Sequence, residues 1–280
     1  MYYSGAIQLL TAIFVLAWCT TGCSRLQMLT TDELKTEVSS EMKSILLHPD
    51  GFQVHCMVQG ADSLPTLFIV HGSPGSWKDY KKYLEDGSLT SHFRVVVFDR
   101  PGFGKSDPGY AVGIIKHAEL LYACAMQLNN NQPGYWVGHS LGGPIVAMLA
   151  SMHPDATAGI AILAGSVSPE EEAPEHWRKL LKWPAIRWLI PARFDRSNVE
   201  IMRFKKDIRL LDDCWKNISC PVLIVHGTKD PLVPYKNAEY ANQKLEHNPS
   251  VKLVSITKAN HFIPWEHYKL ITDLLKSSFP

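Results

Sequence analysis

Long runs of one charge are missing from this chain. No more than two Lys or Arg stand together, and 28 basic against 27 acidic residues leave a formal net charge of +1. A phosphate-reading surface needs clustered positive charge, so nucleic acid is not an expected partner. Cysteine is scarce too, six in 280 residues. That is too few for a disulfide scaffold, and a core of this size needs none. No His, Cys, Asp or Glu grouping has metal-ligand spacing, so neither a metal nor another cofactor is expected. What is present, 46% apolar and 20% charged residues, describes a folded globular domain.

The first 30 residues differ from the rest. Ala6 to Trp18 is nearly all apolar, about the length of a signal-peptide core and short of the roughly 20 residues that span a bilayer. It ends in Cys19-Thr20-Thr21-Gly22-Cys23-Ser24. A small residue directly before a cysteine resembles a bacterial lipoprotein processing site, with Cys23 as the lipidated residue. The expectation is an exported protein, periplasmic or held at a membrane through its N-terminus. A docked N-terminal helix is the alternative. Of the remaining cysteines, Cys214 and Cys220 are six apart and are either a disulfide or two separate thiols.

From residue 31 onward the pattern alternates. Phe52 to Val58 reads as an edge strand. Thr66 to Val70 and Phe93 to Phe98 are continuous apolar runs rich in β-branched and aromatic residues, as expected of strands buried on both faces of a parallel sheet. Ile114 to Leu128 has helical spacing, with Ile115, Ala118, Leu120, Leu121 and Ala125 as its apolar positions. Further strands are expected at 135–137, 159–163, 221–225 and 251–256, and helices at 143–152, 235–246 and 266–277. Strands separated by such helices mean crossover units on a mainly parallel α/β sheet. The stretch 166–218 interrupts the alternation. It contains four of the eight tryptophans and several prolines, and it reads as short helices over the carboxyl edge of the sheet. The organisation is therefore a leader (1–30), a core (31–165 and 219–280) and a helical cap (166–218). Trp177, Trp183 and Trp188 are either packing for the cap or the lining of a substrate pocket.

The chemistry concentrates in Gly138-His139-Ser140-Leu141-Gly142, between a strand and a helix. Such a turn holds a serine clear of the fold, and the glycines admit backbone where a Cβ would collide. A serine hydroxyl needs a base, and the base needs an orienting acid. His261 follows the last strand, and Asp230 lies in a proline-stiffened loop after the strand 221–225; both loops leave the carboxyl edge, where ligands of parallel sheets bind. Asp230 can also be read as a turn former bonding its own backbone. An oxyanion needs fixed donors. The Leu141 amide at the helix start is one. The Ser73 amide, in His71-Gly72-Ser73-Pro74-Gly75-Ser76, is the natural second. His71 is expected to brace that loop.

With these segments, Asp99-Arg100-Pro101-Gly102-Phe103-Gly104-Lys105-Ser106, Gly227-Thr228-Lys229-Asp230-Pro231 and Asn260-His261-Phe262, the chain resembles an α/β-hydrolase from about residue 50 to its end. The resemblance implies an eight-stranded, mostly parallel sheet, a small cap, and the catalytic set Ser140, Asp230 and His261. It makes Asp99 a loop brace. A serine at the elbow sets the chain apart from dehalogenase and epoxide hydrolase relatives, which carry Asp there. The expected activity is cleavage of a carboxylic ester of a small acyl substrate. Lactone, amide or carbon–carbon bond hydrolysis and cofactor-free perhydrolysis would use the same residues, and a non-catalytic binding module would keep the same fold.

Overall fold

Eight strands form one sheet in the order β1-β2-β4-β3-β5-β6-β7-β8. They are β1 (Lys43–Leu47), β2 (Val54–Gln59), β3 (Thr66–Val70), β4 (Arg94–Phe98), β5 (Gly134–His139), β6 (Thr157–Leu163), β7 (Val222–Gly227) and β8 (Val251–Ile256). In this computed structural model the described residues are 42–107, 112–128, 132–172, 176–183 and 187–279. The leader and its Cys23 lie outside them. Among the described residues no helix is long and apolar enough to cross a membrane.

Strand β2 runs antiparallel to both β1 and β4; β4, β3, β5, β6, β7 and β8 are mutually parallel. Every residue of β3, β4 and β7 is buried, as continuous apolar runs require when helices cover both faces. The outer strands β1 and β8 are half exposed. Strand β1 is absent from the sequence pattern, because its five residues carry a weak alternation that only pairing with β2 turns into a strand.

Crossovers are made by helices α1 (Ile114–Leu128), α2 (Gly142–Met152) and α4 (Lys236–Lys244), and α5 (Tyr268–Ser278) closes the chain. The insert contributes α3 (Ala192–Arg209). In α1 the inward face is Ile114, Ala118, Leu121 and Ala125, while Ile115 turns outward. Helix α2 is buried on nearly all sides, which fixes the elbow that starts it. Under α1 and α2, Phe68 stacks on Trp136 at 4.4 Å and on Phe98 at 5.8 Å. These rings come from β3, β5 and β4.

The insert differs from the expected run of short helices. Its first part, His176–Lys182, is a 3₁₀ segment. Its second part is the 18-residue α3. Phe204, Ile208, Leu211, Trp215 and Ile218 belong to the main core cluster, because their spacing puts one apolar stripe against the body. Cys214 and Cys220 are separate thiols.

The strand order reverses around β3, which lies between β4 and β5 with Val70 opposite Gly138. Their carboxyl ends open a crevice where the loop after β3 and the turn after β5 leave side by side. The Phe68 stack supports this crevice from below. Phe68→Ala should cost about 3–5 kcal/mol of unfolding free energy, measurable by urea denaturation; a loss below about 1 kcal/mol would contradict this account of the core.

Candidate active site

Strand β5 ends at His139, and Ser140 follows with φ of 55°, a left-handed conformation costing a non-glycine residue roughly 1–3 kcal/mol. The surroundings hold it there. Ser140 N donates to Leu163 O at 3.0 Å, and Ser140 O accepts from Gly143 N at 3.0 Å and Ser166 N at 3.2 Å. A Cβ on Gly138 would meet Gly142 O at 2.3 Å, and one on Gly142 would meet Val70 O at 2.3 Å. The two glycines are thus required by close approach, and the turn they allow leaves Ser140 half-buried amid buried neighbours.

Asp230 follows β7 and His261 follows β8. Asp230 Oδ2 accepts from His261 Nδ1 at 2.7 Å, while Oδ1 accepts from the amides of Leu232 at 2.9 Å and Val233 at 2.8 Å. One oxygen thus shapes the turn that Asp230 itself begins, and the other meets the imidazole of His261. His226, on β7, adds a second contact. Its Nε2 lies 2.9 Å from Val233 O and 3.4 Å from Asp230 Oδ2. Both neighbours are acceptors, so this nitrogen carries the proton. Burial alone would raise the Asp230 pKa. The hydrogen bonds from His226, His261 and Val233, together with the charge of His261, outweigh it and hold the carboxyl well below the usual range.

With Nδ1 committed to Asp230, His261 keeps Nε2 for a reacting partner. His139, the residue before Ser140, packs its ring 4.8 Å from that of His261, and its Nε2 donates to His261 O at 3.2 Å. This contact ties the last loop to the elbow. No hydrogen bond joins Ser140 to His261 among the described residues; such bonds commonly tighten only around bound substrate.

The loop after β3 meets the serine from the other side. A Cβ on Gly72 would lie 3.0 Å from Ser140 Cβ and 3.4 Å from its Oγ. His71 braces the loop, donating from Nδ1 to Gly72 O at 2.7 Å and accepting the Arg100 amide at Nε2 at 3.0 Å. Ser73 Oγ donates to Ser197 Oγ on α3 at 3.0 Å. Leu141 sits at the start of α2 with helical angles, so its amide is among the unpaired donors that a helix N-terminus presents.

Asp99 has its two oxygens occupied by the Trp77 amide at 2.8 Å, the Lys105 amide at 3.0 Å and His55 Nδ1 at 2.8 Å. It is a brace for its loop. Arg100 carries more than its place in that loop motif implies. Fully buried, its Nε donates to His71 O at 2.9 Å and its Nη2 to Gly72 O at 2.8 Å. Its Nη1 and Nη2 also meet Glu200 Oε1 at 2.5 Å and Oε2 at 3.1 Å. No motif surrounds Glu200, so nothing in the local sequence marks it as a site residue. The available signal is periodicity, since Ser197, Glu200, Phe204, Ile208 and Leu211 recur at spacings of three and four and place a carboxylate on an apolar face.

Trp177, Trp183 and Trp188 are expected either to pack the cap or to line a pocket. Trp183 is 66% and Trp188 84% exposed, and the side chain of Trp177 lies outside the described residues.

Three buried imidazoles near the site stay neutral. Burial and the neighbouring His261 push His139 down to about 3; burial and Arg100 push His117 down to about 4; the same two causes hold His71 well below its ordinary value. Unfolded, each titrates near 6.5. Below that pH the unfolded chain binds more protons than the folded one, so stability falls as pH drops from about 6.5 toward 4. Calorimetry from pH 7 to pH 4.5 should show Tm falling steadily, with protons taken up on unfolding. A flat Tm across that window would contradict neutral burial of these rings.

A family model described as alpha/beta hydrolase fold matches residues 65–214 and 187–268. The pimeloyl-[acyl-carrier protein] methyl ester esterase of Vibrio campbellii is 25% identical over 235 residues, covering 70% of this chain and 87% of that protein. The 2-hydroxy-6-oxononadienedioate/2-hydroxy-6-oxononatrienedioate hydrolase of Cupriavidus pinatubonensis is 24% identical over 264 residues, covering 80% of this chain and 89% of its own. Among solved structures, a membrane phospholipase A described as a bacterial virulence factor superposes with a TM-score of 0.68 at 18% identity, covering 98% of this chain and 96% of that one. The eight-stranded sheet, the elbow between β5 and α2 and these likenesses agree: the chain belongs to the alpha/beta hydrolase fold family and is a hydrolase.

Proposed function

We propose that this protein cleaves a carboxylic ester through an acyl-enzyme formed on Ser140. The observation that carries the reading is the Asp230–His261 hydrogen bond standing beside a serine held at positive φ. His261 Nε2 takes the Ser140 proton as Oγ attacks the acyl carbon, and Asp230 stabilises the imidazolium that forms. The oxyanion is met by the amides of Leu141 and Ser73. On collapse, the carbon–oxygen bond to the alcohol breaks and His261 returns the proton to the leaving oxygen. Water, deprotonated by the same nitrogen, then releases the acid and restores Ser140. An ester is the preferred substrate on the support of relatives that are themselves methyl ester esterases. Cleavage of a lactone, an amide or a carbon–carbon bond would run through the same atoms.

Ser140→Ala should lower turnover of short-chain esters by on the order of 10⁴-fold or more, with Tm at or above that of the native chain. An organophosphonate should label native protein at Ser140 and leave the variant unlabelled. Folded native protein that neither turns over a panel of esters, lactones and amides nor takes the label would sink the reading.

The leader supports export, with retention at a membrane through lipid on Cys23 as the favoured form. Cys23→Ala, expressed in a bacterial host, should then move the protein from the membrane fraction to the soluble one. Unchanged fractionation and an unchanged N-terminal mass would count against lipidation.

A further inference from the structure

Buried Arg100 and Glu200 form a two-toothed ion pair between the loop after β4 and helix α3, and nothing in the hydrolytic scheme above uses it. As a stabilising device it is a poor choice, because desolvating both charges offsets most of their attraction. Its geometry is more informative than its energy. The guanidinium presents Nε to His71 O and Nη2 to Gly72 O, two consecutive carbonyls of the loop that touches Ser140. Nη1 and Nη2 lie against the two Glu200 oxygens. A planar fork held along two edges has little rotational freedom left.

The Gly72–Ser73 peptide translates this into chemistry. A trans peptide is planar, with its C=O and N–H pointing in opposite directions. The Gly72 oxygen is held by Arg100 Nη2 at 2.8 Å and His71 Nδ1 at 2.7 Å. Fixing that oxygen fixes the direction of the Ser73 N–H. The hydroxyl of Ser73 is held in turn by Ser197, one turn before Glu200 on the same face of α3. Two residues of the cap helix therefore control both ends of one peptide.

We infer that Glu200 is a positioning residue for the oxyanion site, holding Arg100 so that the Ser73 amide is aimed at the anion formed during ester cleavage. The inference rests on the serine-hydrolase reading above. It makes α3 part of the catalytic frame and not only a roof. A donor that is present but misdirected affects the transition state more than the ground state, since it is the developing negative charge that needs the amide.

The test is Glu200→Gln, which keeps the shape but replaces one carboxylate oxygen with an amide nitrogen facing the guanidinium. Turnover number for a water-soluble ester should fall by roughly 10- to 100-fold, less than the 10²–10³ expected for removing a donor outright, while KM stays within threefold. A boronic acid that adds to Ser140 and places a charged oxygen in the same position should lose affinity by the same factor. An ether analogue of the ester, which has no carbonyl, should inhibit as before. A purely structural role would not separate these two inhibitors. The apolar pair Arg100→Met with Glu200→Leu removes the charges together, which buried ion pairs often tolerate, and should show the same loss of turnover in a folded protein. If either variant folds and keeps its turnover number within twofold, or if turnover falls while boronate affinity is unchanged, the inference is overturned. Native protein that neither cleaves esters nor binds the boronate would instead remove the serine-hydrolase reading itself.

Discussion

The side-by-side exit of β3 and β5 is the constraint on which the site depends. Val70 and Gly138 are in register, so the loop after β3 and the elbow after β5 must share one narrow space. There is no room for side chains where they meet. Gly142 passes within a Cβ's reach of Val70 O, and Gly72 abuts Ser140 itself. The serine's strained backbone persists because β6 accepts its amide and α2 is buried almost all round. The cost of one unfavourable φ is small against the packing of an entire helix.

Charge is distributed around that crevice in a consistent way. The carboxylates of Asp230 and Glu200 are ionised, Glu200 because the Arg100 charge and hydrogen bonds overcome its desolvation. The buried histidines His71, His117 and His139 are neutral. Each serves as a directional hydrogen-bonding group. His71 links Arg100 N to Gly72 O, and His139 links the elbow to the His261 loop. His261 differs from these three in having one nitrogen on a carboxylate, at 2.7 Å from Asp230 Oδ2.

Much of this arrangement is legible in the amino-acid sequence. The runs Thr66–Val70 and Phe93–Phe98 fit only doubly buried strands, and Gly138 to Gly142 fits only a tight strand-to-helix turn, because in both cases a local pattern has a single steric solution. The loops bearing Asp230 and His261 can be placed because parallel strands send all such loops to one edge. Less visible are β1, which depends on a partner for its structure, and α3, whose stripe is obscured by the neighbouring tryptophans. Of those tryptophans, Trp183 and Trp188 are largely exposed. Bulk alone does not say which way a side chain points.

The sequence by itself determined where the candidate reactive groups stand and the order in which the chain presents them, since turns, strands and such groups are written in short contiguous segments. Tertiary structure alone decided which groups stand behind them. Arg100 and Glu200 are separated by 100 residues, and His226 turns toward Asp230 only because β7 and its loop fold back on each other. Such pairings arise from the three-dimensional approach of distant elements, and the desolvation that makes them directional exists only once the core has closed.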